Sequence, residues 1–200
     1  LLRTMTCIDG EVEMEMECTP LFSYGEKAAR WSGGELGEAL AHSDGVELRL
    51  TSDMELSLED GTARGTLKLR EEETGFCAIT WTDGDLGGPR SAPEALERLD
   101  STEEFWREWL RSGDFPDHPW RIHLQRSALV LKGLTYTPSG AIIAAPTTSL
   151  PETPGGERNW DYRYSWIRDS TFSLWAMHTL GFDEEARAFM QFVMDLCRED

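Results

Sequence analysis

The apolar residues of this chain change their spacing once, and that change limits the folds open to it more than any other feature. From Glu11 to Cys18 two residue types alternate strictly, with Glu11, Glu13, Glu15 and Glu17 on one side and Val12, Met14, Met16 and Cys18 on the other. A period of two belongs to a strand with one face in a core and one in water. The alternation returns at Val46, Leu48 and Leu50, at Met54, Leu56 and Leu58, at Leu67 and Leu69, and at Cys77, Ile79 and Trp81. Asp60-Gly61 supplies turn chemistry between the runs ending at Leu58 and starting at Leu67. Strands so short and so punctuated predict an antiparallel sheet or sandwich through about Trp81. The four glutamates read as a solvated face rather than a cation site, because successive same-face positions on a strand lie far apart.

Gly84, Gly87, Gly88 and Pro89 mark a break, and helical spacing follows it. Pro93 opens a short helix; Ser101 with Glu104 forms a capping box ahead of a second, which carries Phe105, Trp106, Trp109 and Leu110. After Gly113, Pro116 and Pro119, a helix from Trp120 to Leu134 turns Leu124, Leu131 and Leu134 inward. Thr137 to Gly140 is a turn, Ala141 to Ala145 a short buried piece, and Pro146 to Arg158, with three prolines and Gly155-Gly156, a long loop. A helix from about Ser170 to Leu180 carries Phe172, Trp175, Ala176 and Thr179 and stops at Gly181. Asp183 caps the next, which carries Ala186, Phe189, Met190, Val193 and Cys197, completing an αα-hairpin. Phe172 and Trp175 are assigned to core, as are Trp31, Trp81, Trp106, Trp109 and Trp120.

Charge narrows the partners. With 37 acidic against 19 basic residues the net charge is −18, which repels nucleic acid and anionic lipid and favours a neutral partner. Lysine occurs only at Lys27, Lys68 and Lys132, and an acid-rich, lysine-poor surface suits a salty solvent. Cys7, Cys18, Cys77 and Cys197 are far apart in sequence, without metal spacing, and are expected as reduced, buried thiols. No run reaches the ~18 apolar residues of a membrane span, and no basic-then-apolar signal opens the chain, so a cytoplasmic location is expected. Phosphate-cradling glycine loops, zinc spacings and Ser/His/Asp orders are missing from the sequence; no metal or cofactor is expected, and the four histidines are scattered. Oligomeric state is not specified by any of these patterns.

Aromatic and charged groups are densest from Asn159 to Ser170, in Asn-Trp-Asp-Tyr-Arg-Tyr-Ser-Trp-Ile-Arg-Asp-Ser. A neutral sugar asks for this mixture: C–H faces pack on Trp or Tyr, an Arg fork donates to hydroxyl oxygens, and an ionised Asp accepts from neighbouring hydroxyls. The same residues can equally form a helix-start ion pair with aromatics as core, and composition alone leaves both open.

The run Gly140-Ala-Ile-Ile-Ala-Ala-Pro-Thr-Thr-Ser-Leu-Pro-Glu152, followed by Asn159-Trp-Asp-Tyr-Arg-Tyr-Ser-Trp-Ile-Arg-Asp169, resembles the entrance to the catalytic domain of glycoside hydrolase family 15. Its members include glucoamylases, glucodextranases and trehalase-like enzymes, and the Phe22 to Gly25 region resembles their N-terminal β-domain. The resemblance implies a mixed α and β fold: an antiparallel β-sandwich domain over 1–90, a helical linker over 91–135, and over 136–200 the first helices of an incomplete (α/α)6 barrel. By the same resemblance Trp166, Arg168 and Asp169 grip the terminal glucose and Tyr162 stands beside the scissile bond. It further implies exo-acting, inverting hydrolysis of a neutral α-glucoside, with the acid and base glutamates beyond Asp200. Of Glu152, Glu157, Asp161 and Asp169 none matches a catalytic position, and an Asp161/Asp169 acid–base pair lacks the apolar isolation that raises a pKa. Trp166 to Trp175 resembles the trehalase-like branch more than the starch-degrading one, which makes trehalose the leading substrate. The alternative is a non-catalytic carbohydrate-binding or assembly module.

Overall fold

The computed structural model describes residues 1–81 and 87–198; Gly84, one residue of the expected break, lies outside the described residues. The chain is a mixed α and β protein that divides into two compact units, Leu1–Glu103 and Glu104–Asp200.

Among the described residues the first unit holds ten strands: β1 (Leu2–Thr6), β2 (Glu11–Cys18), β3 (Leu21–Phe22), β4 (Lys27–Ala28), β5 (Arg30–Gly33), β6 (Glu38–Ser43), β7 (Val46–Ser52), β8 (Glu55–Glu59), β9 (Thr62–Arg70) and β10 (Thr74–Trp81). They form a five-stranded sheet ordered β1-β10-β7-β6-β5, a three-stranded sheet β2-β9-β8 and a small pair β3-β4, all antiparallel. Cys18 and Ala63 from the three-stranded sheet share a core cluster with Leu50, Trp31 and Ile79 from the five-stranded one, so the two sheets bury their faces together. Asp60 and Gly61 both have positive φ (48° and 78°), the two-residue hairpin geometry the sequence predicts. Asp44-Gly45 makes the same turn between β6 and β7, at φ 52° and 77°, and is an equally readable Asp-Gly signal that the apolar spacing passes over.

The glutamates of β2 face solvent as expected, and Glu11 and Glu17 pair with Lys68 and Arg64 on β9. β10 differs from expectation. Its most buried side chains are Phe76 and Ala78, not Cys77, Ile79 and Trp81, and Trp81 is exposed. Ala78 pairs in register with Thr51, and a Cβ on Gly88 would stand 2.3 Å from Thr51 Oγ1. Gly88 and Pro89, both buried, therefore lie against the second face of the sheet, and a strand covered on both faces loses its alternation.

Among the described residues four helices follow: α1 (Ala92–Arg111), α2 (Arg121–Gly133), α3 (Ile167–Thr179) and α4 (Asp183–Leu196), with the short paired strands β11 (Thr135–Tyr136) and β12 (Ala141–Ile142) between α2 and α3. α1 is one helix where the sequence predicts two. Ser101 is interior and its hydroxyl donates to the Glu97 carbonyl at 2.8 Å. The true start is at Ser91, whose Oγ accepts from the Glu94 N–H at 3.4 Å, while the Glu94 carboxylate accepts from the Arg90 N–H at 2.8 Å.

The core of the second unit is Phe115, Ala128, Ile142, Met177, Phe182 and Phe189, with Trp109, Leu124, Leu131 and Leu134 against it. Three expectations are corrected here. Phe172 and Trp175 are 63% and 69% exposed, and α3 buries Ser170 and Met177 instead. Cys197, expected to be buried, is exposed at the end of α4 along with Met190, Met194 and Leu196, and Trp120, assigned to core, is exposed as well. Asp183 is the first helical residue of α4, not its cap, and pairs with His178. All four cysteines are free thiols. No helix among the described residues is long and apolar enough to cross a membrane.

Candidate functional site

Pro146 to Arg158 has no regular structure, yet residues 144–152 pair with residues 158–164 through main-chain hydrogen bonds. The N–H groups of Ala144, Ala145, Ser149 and Glu152 donate to the carbonyls of Tyr164, Tyr162, Trp160 and Arg158 at 3.1, 2.8, 2.7 and 3.2 Å. Thr148 and Asp161 form an antiparallel bridge, and the Trp160 N–H donates to Ser149 Oγ at 2.7 Å. The Ser165 hydroxyl donates to the Ile142 carbonyl at 2.9 Å, anchoring the motif to the core residue of β12. The loop is therefore the outer arm of a closed clip, and the motif is its inner arm.

Within the clip the rings of Tyr162 and Trp166 stand 5.7 Å apart at 57°, and Trp160 meets Trp166 edge-on at 6.2 Å. Trp166 donates its indole N–H to the Asp161 carbonyl at 3.0 Å, then serves in extended geometry as the residue ahead of α3. Arg168 and Asp169 occupy the first turn of that helix and pair at 3.3 Å, with the Arg168 side chain 72% exposed. Asp169 Oδ2 is buried, and no donor among the described residues reaches it in hydrogen-bond geometry. A carboxylate at a helix N-terminus is favoured by the free N–H groups and the dipole there. The structure thus gathers Tyr162 with Trp166 and Arg168 with Asp169, as two pairs on either side of the helix start.

The nearby carboxylates are engaged elsewhere. Glu152 accepts from Trp160 Nε1 at 3.0 Å and pairs with Arg158. Asp161 is held by Arg163, whose side-chain and main-chain hydrogen bonds keep its carboxyl below the usual carboxylate range, so it carries no proton to donate near neutral pH. An open cavity of about 590 Å³ adjoins the motif, lined by Tyr136, Ile143, Arg163, Tyr164, Ser165 and Phe192 among others; none of Tyr162, Trp166, Arg168 or Asp169 lines it. Among the described residues no three His, Cys, Asp or Glu side chains are grouped to hold a metal ion.

The charge network that sequence reasoning missed is at Glu185 on α4. It is 6% exposed, and it accepts from Lys132 Nζ and Trp109 Nε1, both at 2.8 Å. Burial pushes its carboxyl up, but the Lys132 and Trp109 bonds outweigh burial and leave it below the ordinary value. A glutamate among the acidic residues Asp183, Glu184 and Glu185 at a helix start carries no sign that one of them points inward.

Residues 120–200 match the family model of glycosyl hydrolases family 15. The chain is 51% identical to a trehalase of Mycolicibacterium smegmatis and 50% identical to a trehalase of Mycobacterium tuberculosis, in each case over 98% of this chain and 30% of the relative. A trehalase of Thermoplasma volcanium is 31% identical over 94% of this chain and 30% of its own length. The chain thus spans about 30% of the length of these curated relatives. No solved structure matches it.

Proposed function

We propose, from the match of residues 120–200 to glycosyl hydrolases family 15, that the complete protein hydrolyses an α-glucoside, trehalose first, and that this chain carries part of its sugar-binding subsite. Residues 1–90 are read as a β-sandwich domain, 91–135 as a helical linker and 136–200 as the opening of an (α/α)6 barrel. Arg168 donates to sugar hydroxyls, Asp169 accepts from them, and Tyr162 and Trp166 offer ring faces to the C–H side of the ring. A terminal glucose held in this way makes the reaction exo-acting.

Bond cleavage is assigned to two carboxyl groups outside these 200 residues. In an inverting reaction they stand roughly 6.5–9.5 Å apart, one protonating the leaving oxygen while the other activates a water on the opposite face. The observation that carries the reading is Asp169 Oδ2, a buried carboxylate oxygen that pairs with Arg168 Nη2 at 3.3 Å but receives no hydrogen bond of good geometry among the described residues. A ligand hydroxyl would supply the hydrogen bond that this oxygen lacks.

The test is Asp169→Asn in the complete protein, assayed on trehalose, maltose and isomaltose. Loss of a hydrogen bond to a charged group is expected to lower kcat/KM about 10- to 100-fold. An unchanged kcat/KM on all three sugars would remove the subsite. Retention of the protein on immobilised glucan without hydrolysis of any of them would favour a carbohydrate-binding module instead.

A further inference from the structure

The subsite reading gives no task to Asp161 or Arg163, yet these two residues are bound to each other by three hydrogen bonds, two of them between the side chains. Asp161 Oδ1 accepts from the Arg163 main-chain N–H at 3.0 Å and from Nε at 2.9 Å, and Oδ2 accepts from Nη2 at 2.7 Å. An aspartate that bonds the main chain two residues ahead fixes the peptide planes between them. The first of those planes carries the Asp161 carbonyl, which takes the Trp166 indole N–H at 3.0 Å. The next residue is Tyr162, whose carbonyl in turn accepts from the Ala145 N–H at 2.8 Å. With its one donor held by a main-chain oxygen, Trp166 has no hydrogen bond to give a sugar and presents only its ring.

We propose that Asp161 and Arg163 are positioning residues: their ion pair sets the peptide that locks the Trp166 indole and so aims the Trp166 and Tyr162 rings at the C–H face of the sugar held by Arg168 and Asp169. The inference rests on the subsite reading above. Both ion-pair partners act through the rings, and neither side chain touches the sugar. The pair is intact at neutral pH, since the Arg163 bonds hold the Asp161 carboxyl below its ordinary range. A guanidinium is required rather than an ammonium, because Nε and Nη2 engage the two carboxylate oxygens as a fork.

The test uses the complete protein and trehalose, with Asp161→Asn, Arg163→Gln and Arg163→Lys beside Asp169→Asn. Loss of the pair loosens rings that contact the sugar before and during bond cleavage alike, so KM is expected to rise about tenfold while kcat stays within about twofold. Inhibition by glucose should weaken in parallel with KM. Arg163→Lys, which keeps the charge and loses the fork, is expected to raise KM by about threefold. If Asp169→Asn impairs the enzyme while the three clasp variants leave KM unmoved, or lower kcat alone, the positioning role is wrong and the subsite stands. If Asp169→Asn is silent, the subsite reading itself has failed. Should Asp161→Asn and Arg163→Gln not fold, Arg163→Lys decides: a raised KM at unchanged kcat supports the role, and an unchanged KM overturns it.

Discussion

Gly140 shows how one position can fix the local path of the chain. Its φ is +78°, and a Cβ built on it would stand 2.5 Å from the Ala188 carbonyl oxygen of α4. An L side chain in the left-handed region costs roughly 1–2 kcal/mol, and here a backbone atom must also move. Gly140→Ala is expected to destabilise the second unit by about 2 kcal/mol or more, read as a shifted urea midpoint at unchanged slope. A change below about 0.5 kcal/mol would show that the turn relaxes freely. At this scale the sequence marks the chemical types of the site and little of their bonding. Arg168 and Asp169 stand out beside Trp166 because that mixture suits a sugar. The Asp161–Arg163 pair and the main-chain oxygen on the Trp166 indole do not stand out, since both arise from a turn whose geometry is not written in residue type.

Elements were legible where one face meets water. β2 shows its strand through alternating glutamates, and the Asp60-Gly61 hairpin is visible because only a few residues adopt its φ values. The phase of α3 was not legible. Ser170, Leu174 and Met177 make one stripe and Phe172 and Trp175 another, both at helical spacing, and the spacing cannot say which faces Ile142. Ser170 faces it because its small side chain lets its hydroxyl approach the Ile142 carbonyl at 3.4 Å. The same blindness hid Glu185, which joins α1, α2 and α4 through Trp109 and Lys132. Its carboxyl lies below its ordinary value in the folded chain, so its contribution to stability is complete above the unfolded value of about 4.3 and is lost as pH falls through the lower folded value. Between about pH 5 and 3 the melting temperature of the chain is expected to fall more steeply than that of Glu185→Gln, which carries no such linkage. Parallel pH profiles for the two would show that the buried carboxylate is not held as described. Glu185→Ala removes one partner of a buried pair and is expected to cost about 3 kcal/mol.

Across the whole molecule, charge is the least balanced property. Acidic residues exceed basic ones by 37 against 19, giving −18 on 200 residues. Compaction brings these charges together, so the folded state carries more self-repulsion than the unfolded one. Surface pairs such as Lys68–Glu11, Arg64–Glu17 and Lys27–Asp44 oppose it, but each such exposed pair contributes only about 0–1 kcal/mol. Salt weakens both effects, and with so few cations to pair, the repulsion it relieves is the larger. The screening length shrinks from about 10 Å at 0.1 M to about 3 Å at 1 M, shorter than most spacings between surface charges. Raising sodium chloride from 0.1 M to 1 M is therefore expected to lift the melting temperature by about 5 °C, equivalent to roughly 1 kcal/mol in a unit of this size. Replacing several acidic residues of the β2 face, such as Glu13 and Glu15, with glutamine should reduce that gain, because the substituted chain has less repulsion to screen. A melting temperature that is flat or falling across the same salt range would mean that the ion pairs, not the excess of carboxylates, set the electrostatics of the fold.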